Sequence, residues 1–198
     1  MLDRPGGVFV RRADLLKPEY KGQIALDGDP RTSNQAIQAV YAAALANGGS
    51  LDNAQPGLDF FKKVVDAGNF VPTDANPGTI VQGATPVALR WSYNGLAHRD
   101  ETADNPTIDV TVPASGRFGG VYVQAISKYA PHPNAAKLFI DTVLSKEGQE
   151  LIKSFSRIPD RSDVPSELKE GIKFFPADPR WGDSYGKYVE EFREIFLK

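Results

Sequence analysis

The sequence predicts an α/β fold, and three observations carry that prediction. Short apolar runs of strand length, at 24–26, 85–91, 108–112 and 121–126, alternate with longer segments. Within those longer segments apolar residues recur at helical spacing, as at Ile37, Val40, Tyr41, Ala44 and Leu45. Gly, Pro and Asn clusters such as Asn47-Gly48-Gly49 and Asn76-Pro77-Gly78 punctuate the elements.

The elements follow in order. Val8-Phe9-Val10 is a short apolar run, and Asp14 to Tyr20 reads as a helical turn stopped by Pro18. Ile24-Ala25-Leu26 is a strand, and Asp27-Gly28-Asp29-Pro30 carries turn chemistry. Thr32, Ser33 and Asn34 are all good N-caps for a helix over about 33–47, which Asn47-Gly48-Gly49 ends. A second helix opens at Gln55-Pro56-Gly57, with Leu58, Phe60, Phe61, Val64 and Val65 on its apolar face. Val71-Pro72-Thr73 is extended, and a helical turn covers 79–82. Thr85 to Trp91 is apolar enough for a buried strand, and 92–99 reads as a loop or short helix that includes His98. Ile108, Val110 and Val112 alternate with polar residues as a half-buried strand. Val121 to Ile126 is a further strand after a glycine-rich crossing. A strong helix runs from Pro133-Asn134 through Leu144, with Ala136, Leu138, Phe139, Ile140 and Val143 buried. Ser145-Lys146-Glu147-Gly148 breaks it, and another helix runs from about 149 to 155. Asp183 or Ser184 caps a last helix over 185–196.

Composition excludes several functions. Net charge is −2 and no basic cluster is interleaved with aromatics, so the chain has no nucleic-acid signature. With no cysteine there are no disulfides, thiolate chemistry or Cys-based zinc sites. The two histidines, His98 and His132, lie in separate regions, so no metal site is expected. No cofactor motif or enzyme signature is present: there is no Gly-x-Gly-x-x-Gly, Walker loop, Gly-x-Ser-x-Gly or His-Glu-x-x-His. Asp27 and Asp29 read as turn formers rather than acid–base groups. No run reaches the roughly 18 apolar residues of a membrane helix, and Met1 to Gly7 is no signal peptide.

The first motif with chemistry is the strand–turn–helix at 24–36. A capped helix start presents backbone N–H groups, which suits an anion. Plain capping of a surface helix explains the same residues.

Several segments resemble one known family. Asp14-Leu15-Leu16-Lys17-Pro18-Glu19-Tyr20-Lys21-Gly22-Gln23-Ile24-Ala25-Leu26 looks like the entry into the second lobe of the extracellular solute-binding proteins of ABC importers. The likeness is to the branch with ferric-iron, polyamine, thiamine and phosphonate or sugar-phosphate binders. Gly68-Asn69-Phe70 and Gln82 to Leu89 resemble its helix end and following strand. His132 to Gln149 is the most specific match, to the family's "hPnaAklFidflLSkeGQ" signature. The resemblance implies a periplasmic-binding-protein-like (class II) doubly wound lobe over 8–112. It also implies a return segment with C-terminal helices over 113–198, belonging to lobe one and lacking that lobe's N-terminal strands. Such a chain would expose apolar area on the Phe139 helix, so the missing segment or self-association is an expected partner.

By the same resemblance the protein captures a small polar or anionic solute between lobes. It is not an enzyme, it presents the solute to importer membrane subunits, and it works in the periplasm or outside the cell. Three segments would face the solute: Thr32, Ser33 and Asn34; then Trp91, Tyr93 and Asn94; then Ser115, Arg117 and Tyr122, with Gly116, Gly119 and Gly120 as hinge. Each has a plainer reading as a cap, a buried aromatic anchor or an ordinary glycine-rich loop. Arg90 lies near the second segment, but strand alternation points it away. The iron binders' adjacent tyrosine pair is absent, which disfavours iron. Two other readings stay open: an isolated lobe acting as an assembly unit, and an enzyme using the same anion cradle.

Overall fold

A computed structural model describes residues 12–102, 108–113, 118–119, 122–166, 173–174 and 180–196. The chain forms two compact units. One holds the residues through Phe118 together with the last helix, and the other holds 119–176.

The first unit is built around strand β1 (Ile24–Leu26), whose three residues are all buried. It pairs in parallel with β2 (Val87–Leu89), with Ile24 opposite Val87 and Leu26 opposite Leu89. Its other edge takes the extended chain after residue 69, through Val71 N–H to Ile24 O at 2.7 Å and Ala75 N–H to Leu26 O at 2.9 Å. Beyond β2 no further strand pairs among the described residues, so β2 is half-buried rather than buried as its composition suggested.

Two helices cover this sheet. Helix α1 (Asn34–Ala46) and helix α2 (Gln55–Asp66) pack through Val40, Tyr41, Ala43 and Ala44 against Leu58, Phe61 and Val64. Short residues on α1 permit that close approach. The turn α3 (Pro77–Val81) carries a capping box between Asn76 and Thr79, and α4 (Ser92–Thr102) follows β2 directly. Residues 92–99 are thus helical, and His98 stands on a helix rather than in a loop.

Buried Asn69 joins three pieces. Its side-chain Nδ2 donates to Leu15 O at 2.8 Å and Lys17 O at 3.0 Å. Its carbonyl accepts from Gln23 and Ile24 N–H, and its own N–H closes the end of α2 on Val64 O. The entry segment, β1 and α2 are therefore tied at one residue.

Along the chain, the division between the units falls within the two-residue strand β3 (Phe118–Gly119). The second unit carries α5 (Pro133–Leu144), α6 (Lys146–Ser154) and β4 (Lys173–Phe174). Ser145 does not simply break the helix. Its Oγ accepts from Gly148 N–H at 3.0 Å and so caps α6, which starts at Lys146.

Several expectations are corrected. Residues 108–113 form no strand, although Val110 packs over Gly95 of α4. Residues 122–127 form none either, and Val123 is 77% exposed. An isolated apolar segment without a neighbouring strand has no ladder to join. On α5, Leu138 and Phe139 are 68% and 66% exposed rather than buried. The last helix, α7 (Arg180–Phe196), begins before the expected caps. It packs on α2 instead of grouping with the return segment: Phe196 stands 5.4 Å from Phe61 and 5.3 Å from Phe70, and Tyr188 Oη accepts from Ala54 N–H. That hydroxyl supplies an acceptor at the start of α2, where Ala54 has no capping side chain.

Candidate solute-binding site

Because β1 and β2 run parallel and in register, their carboxyl ends coincide. Asp27 and Arg90, the residues just beyond each strand, meet as an ion pair at 2.8 Å with both side chains largely buried. Strand alternation was expected to send Arg90 away; the pairing turns it towards Asp27. Its Nη1 also donates to His98 Nδ1 at 2.8 Å. Burial first, then the adjacent guanidinium, lowers the His98 pKa, so the ring takes this bond as a neutral acceptor.

The turn after β1 is closely specified. Gly28 has φ +92°, and a Cβ there would stand 2.6 Å from Ser33 Cβ, so only glycine fits. Asp29 O accepts from Thr32 and Ser33 N–H, while its carboxylate holds Arg31. That bond to Arg31 lowers the Asp29 pKa. The Asp29 carboxylate thus serves the turn, whereas Asp27 gives the turn its main-chain oxygen and its carboxylate to Arg90.

Ser33 caps α1. Its Oγ accepts from Ala36 N–H at 3.3 Å and donates to Asp27 O at 2.5 Å. The hydroxyl proton is committed to the fold, so Ser33 offers an anion no hydrogen there. Thr32 and Asn34 are exposed at the same helix start. The first N–H groups of α1 have no intrahelical acceptor.

Trp91, Tyr93 and Asn94 come to this same end of the unit. Trp91 N–H donates to Gln35 Oε1 at 3.0 Å, and its indole Nε1–H donates to Gln38 Oε1 at 2.7 Å. Asn94 Nδ2 donates to Gln35 Oε1 at 3.1 Å, and Gln38 Nε2 donates to Asn34 Oδ1 at 3.3 Å. The Trp91 and Tyr93 rings stack with centroids 5.5 Å apart. Two of the expected segments, some sixty residues apart in sequence, are therefore joined through Gln35 and Gln38. Sequence reasoning passed over both glutamines, which look like ordinary helix formers; their place in the first turns of a capped helix was the available signal.

The third segment is not placed in this way. Ser115, Gly116, Arg117 and Gly120 lie outside the described residues. Tyr122 belongs to the second unit, is 61% exposed, and has the Arg157 guanidinium 5.9 Å from its ring centre.

The sequence profile of the bacterial extracellular solute-binding proteins matches residues 11–179. The chain belongs to that family. A curated relative, an uncharacterized protein of Haemophilus influenzae, is 28% identical over 143 residues, or 70% of this chain and 38% of that protein. Among solved structures, the periplasmic binding protein P5PA matches with a TM-score of 0.62 at 19% identity, over 97% of this chain and 62% of that one. That likeness shows a periplasmic-binding-protein fold, the α/β class read from the sequence. The chain thus spans less than two thirds of the length of either protein.

The last part of the 132–149 match, Ser145 to Gln149, holds the corner between α5 and α6 together. Ser145 caps α6, and a Cβ on Gly148 would meet Thr142 O at 2.2 Å and Val143 O at 2.7 Å. Gln149 is fully buried, donates from Nε2 to Val143 O at 2.8 Å and accepts from Asp160 N–H at 2.6 Å. Ser145, Gly148 and Gln149 are thus spent on the corner between α5 and α6.

Proposed function

We propose that this chain carries one half of the binding cleft of an ABC importer's solute-binding component, and that the cleft captures a small polar or anionic solute. The observation that carries this reading is the junction of the α1 start with Trp91–Asn94 at the shared carboxyl ends of β1 and β2, where ligands of open α/β sheets bind. Thr32, Asn34 and the first N–H groups of α1 receive the oxyanion; Tyr93 and Trp91 wall the site; Asn94 adds a polar contact. Residues 8–112 act as one lobe. Helix α7 belongs with that lobe, while the return segment from 113 to 176, with Ser115, Arg117 and Tyr122, contributes to the other, and Gly116, Gly119 and Gly120 serve as the hinge. The division between the two units at Phe118 and Gly119 supports that hinge. The protein binds and releases without chemistry, which fits the pairing of the Asp27 carboxylate with Arg90 and of the Asp29 carboxylate with Arg31. It works in the periplasm and delivers to importer membrane subunits, as its family suggests.

A covering partner is part of this reading. The exposed Leu138, Phe139, Leu151 and Phe155 of the second unit call for a lobe segment outside this chain, or for a second copy.

The test is a thermal-shift and calorimetric screen of phosphonates, sugar phosphates, polyamines and thiamine. A hit should weaken about tenfold or more when Asn34→Ala removes a hydrogen bond to a charged group, with the melting transition of the unliganded protein kept. A hit with unchanged affinity in both Asn34→Ala and Asn94→Ala would move the site elsewhere.

A further inference from the structure

Carboxamides can present either an oxygen or an NH2 group to a neighbour, so an amide in a binding site has a polarity that something must fix. Here Trp91 fixes it. Its backbone N–H and its indole N–H are donors only. The indole meets Gln38, so Gln38 must turn its oxygen to Trp91 and its NH2 to Asn34. Asn34 must then offer Oδ1 to Gln38, which leaves its own NH2 for the exposed side. The backbone N–H meets Gln35 Oε1, and the same oxygen also accepts from Asn94 Nδ2. Asn94 is thereby left with Oδ1.

We infer that the two obligate donors of Trp91, acting through Gln35 and Gln38, make Asn34 a donor and Asn94 an acceptor, so that the site selects a solute carrying both an oxyanion and a hydroxyl or ammonium group. The inference rests on the solute-binding reading above and sharpens it. Gln35 and Gln38 are positioning residues: they touch the recognition side chains rather than the solute. Gln38 is 8% exposed, so no solvent competes to turn its amide over. An oxyanion accepts from Asn34, and a solute hydroxyl or ammonium donates to Asn94. An anion lacking such a donor leaves the Asn94 oxygen unpaired once water is expelled, which costs affinity.

The experiment is NMR on the 15N-labelled full chain, first without solute. The Trp91 indole N–H should be protected from solvent exchange, and the Gln38 NH2 protons should show cross-relaxation with Asn34 rather than with the indole. The opposite pattern overturns the inference whatever the protein binds. The second arm titrates acetate and glycolate, which share a carboxylate and differ by one hydroxyl. Both should shift the Asn34 NH2 signals, and glycolate should bind about tenfold more tightly, the worth of one hydrogen bond to an otherwise orphaned acceptor. Gln38→Glu keeps an oxygen for the indole but turns Asn34 over, so it should abolish the Asn34 response while the indole stays protected. Asn34→Asp, which still accepts from Gln38 but offers no donor, should weaken glycolate about tenfold, read at the α4 amide signals. Equal binding of acetate and glycolate, or an Asn34 response that survives Gln38→Glu, overturns the polarity. Should neither anion shift any signal of α1 or α4, the solute-binding reading of this site fails, and the solute-free arm still judges the wiring.

Discussion

Replacing Asn69 by leucine tests how the first unit is held together. The side chain is fully buried and donates to two carbonyls of the entry segment, Leu15 O and Lys17 O. Leucine matches its size and removes both donors. Two lost hydrogen bonds cost about 0.5–1.5 kcal/mol each, and the buried Leu15 carbonyl, left without a partner, adds desolvation on the order of 1 kcal/mol. Leucine also removes the buried Asn69 Oδ1, which has no partner, and this returns about 1 kcal/mol. The expected loss is therefore about 1–3 kcal/mol, which in a chain of this length corresponds to a fall in melting temperature of about 2–12 °C. Urea unfolding followed by circular dichroism reads the total, and native-state hydrogen exchange reads its place. Amides at 17–24 should lose protection, because Gln23 and Ile24 bond the carbonyl of the same residue. A loss under about 1 kcal/mol with unchanged slope, or protection unchanged in that segment, would refute the view that Asn69 ties the entry segment to β1.

Two further outcomes can be checked independently. Gly148→Ala drives a Cβ into the carbonyls of Thr142 and Val143, so α5 and α6 should lose about 1–3 kcal/mol of local stability, read as faster exchange of α6 amides with α1 and α2 unchanged. For His98, the folded pKa lies below the ordinary 6.5, so between those values the unfolded chain binds more protons and stability rises with pH. Thermal melts should accordingly weaken as pH falls from 6.5 through the folded value, and His98→Asn, whose oxygen can still accept from Arg90, should remove that part of the slope.

Legibility in the sequence followed how local each signal was. The Ser33 cap, the glycine end of α1, the Pro56 start of α2 and the Asn76 turn are set by residues within a few positions, and the structure places them where the spacing did. Strands were the weaker part. Ile24–Leu26 and Val87–Leu89 pair, but the equally apolar runs at 108–112 and 122–126 do not, because a strand depends on a neighbour that no local pattern announces. The end of the chain misled for a related reason: Asp183 and Ser184 are good caps, yet α7 runs through them, with its later turns seated on Phe61 and Phe70. At the site, Trp91 and Asn94 stood out as chemistry at a strand's end. The glutamines that hold them did not, since a helix interior rich in Gln and Ala is what propensity alone would write.

The two motifs that drew attention in the sequence do different work, and the difference follows from hydrogen-bond capacity. In Ser145–Gln149 the serine oxygen takes Gly148 N–H, and both ends of the Gln149 amide are engaged. Groups engaged in this way can mark a fold across many solutes, because their hydrogen bonds are spent within the chain. At Asn34 and Asn94 each amide is engaged at one end only, by a glutamine that is itself held by Trp91. Half-satisfied groups of fixed orientation are what recognition requires, since the remaining half is completed by the solute. The first segment therefore serves the fold, and the second is, on the proposed reading, the place where solutes would be told apart. Exchanging residues between relatives at 145–149 should leave solute preference alone, whereas exchange at Asn34, Gln35, Gln38 and Asn94 should change it.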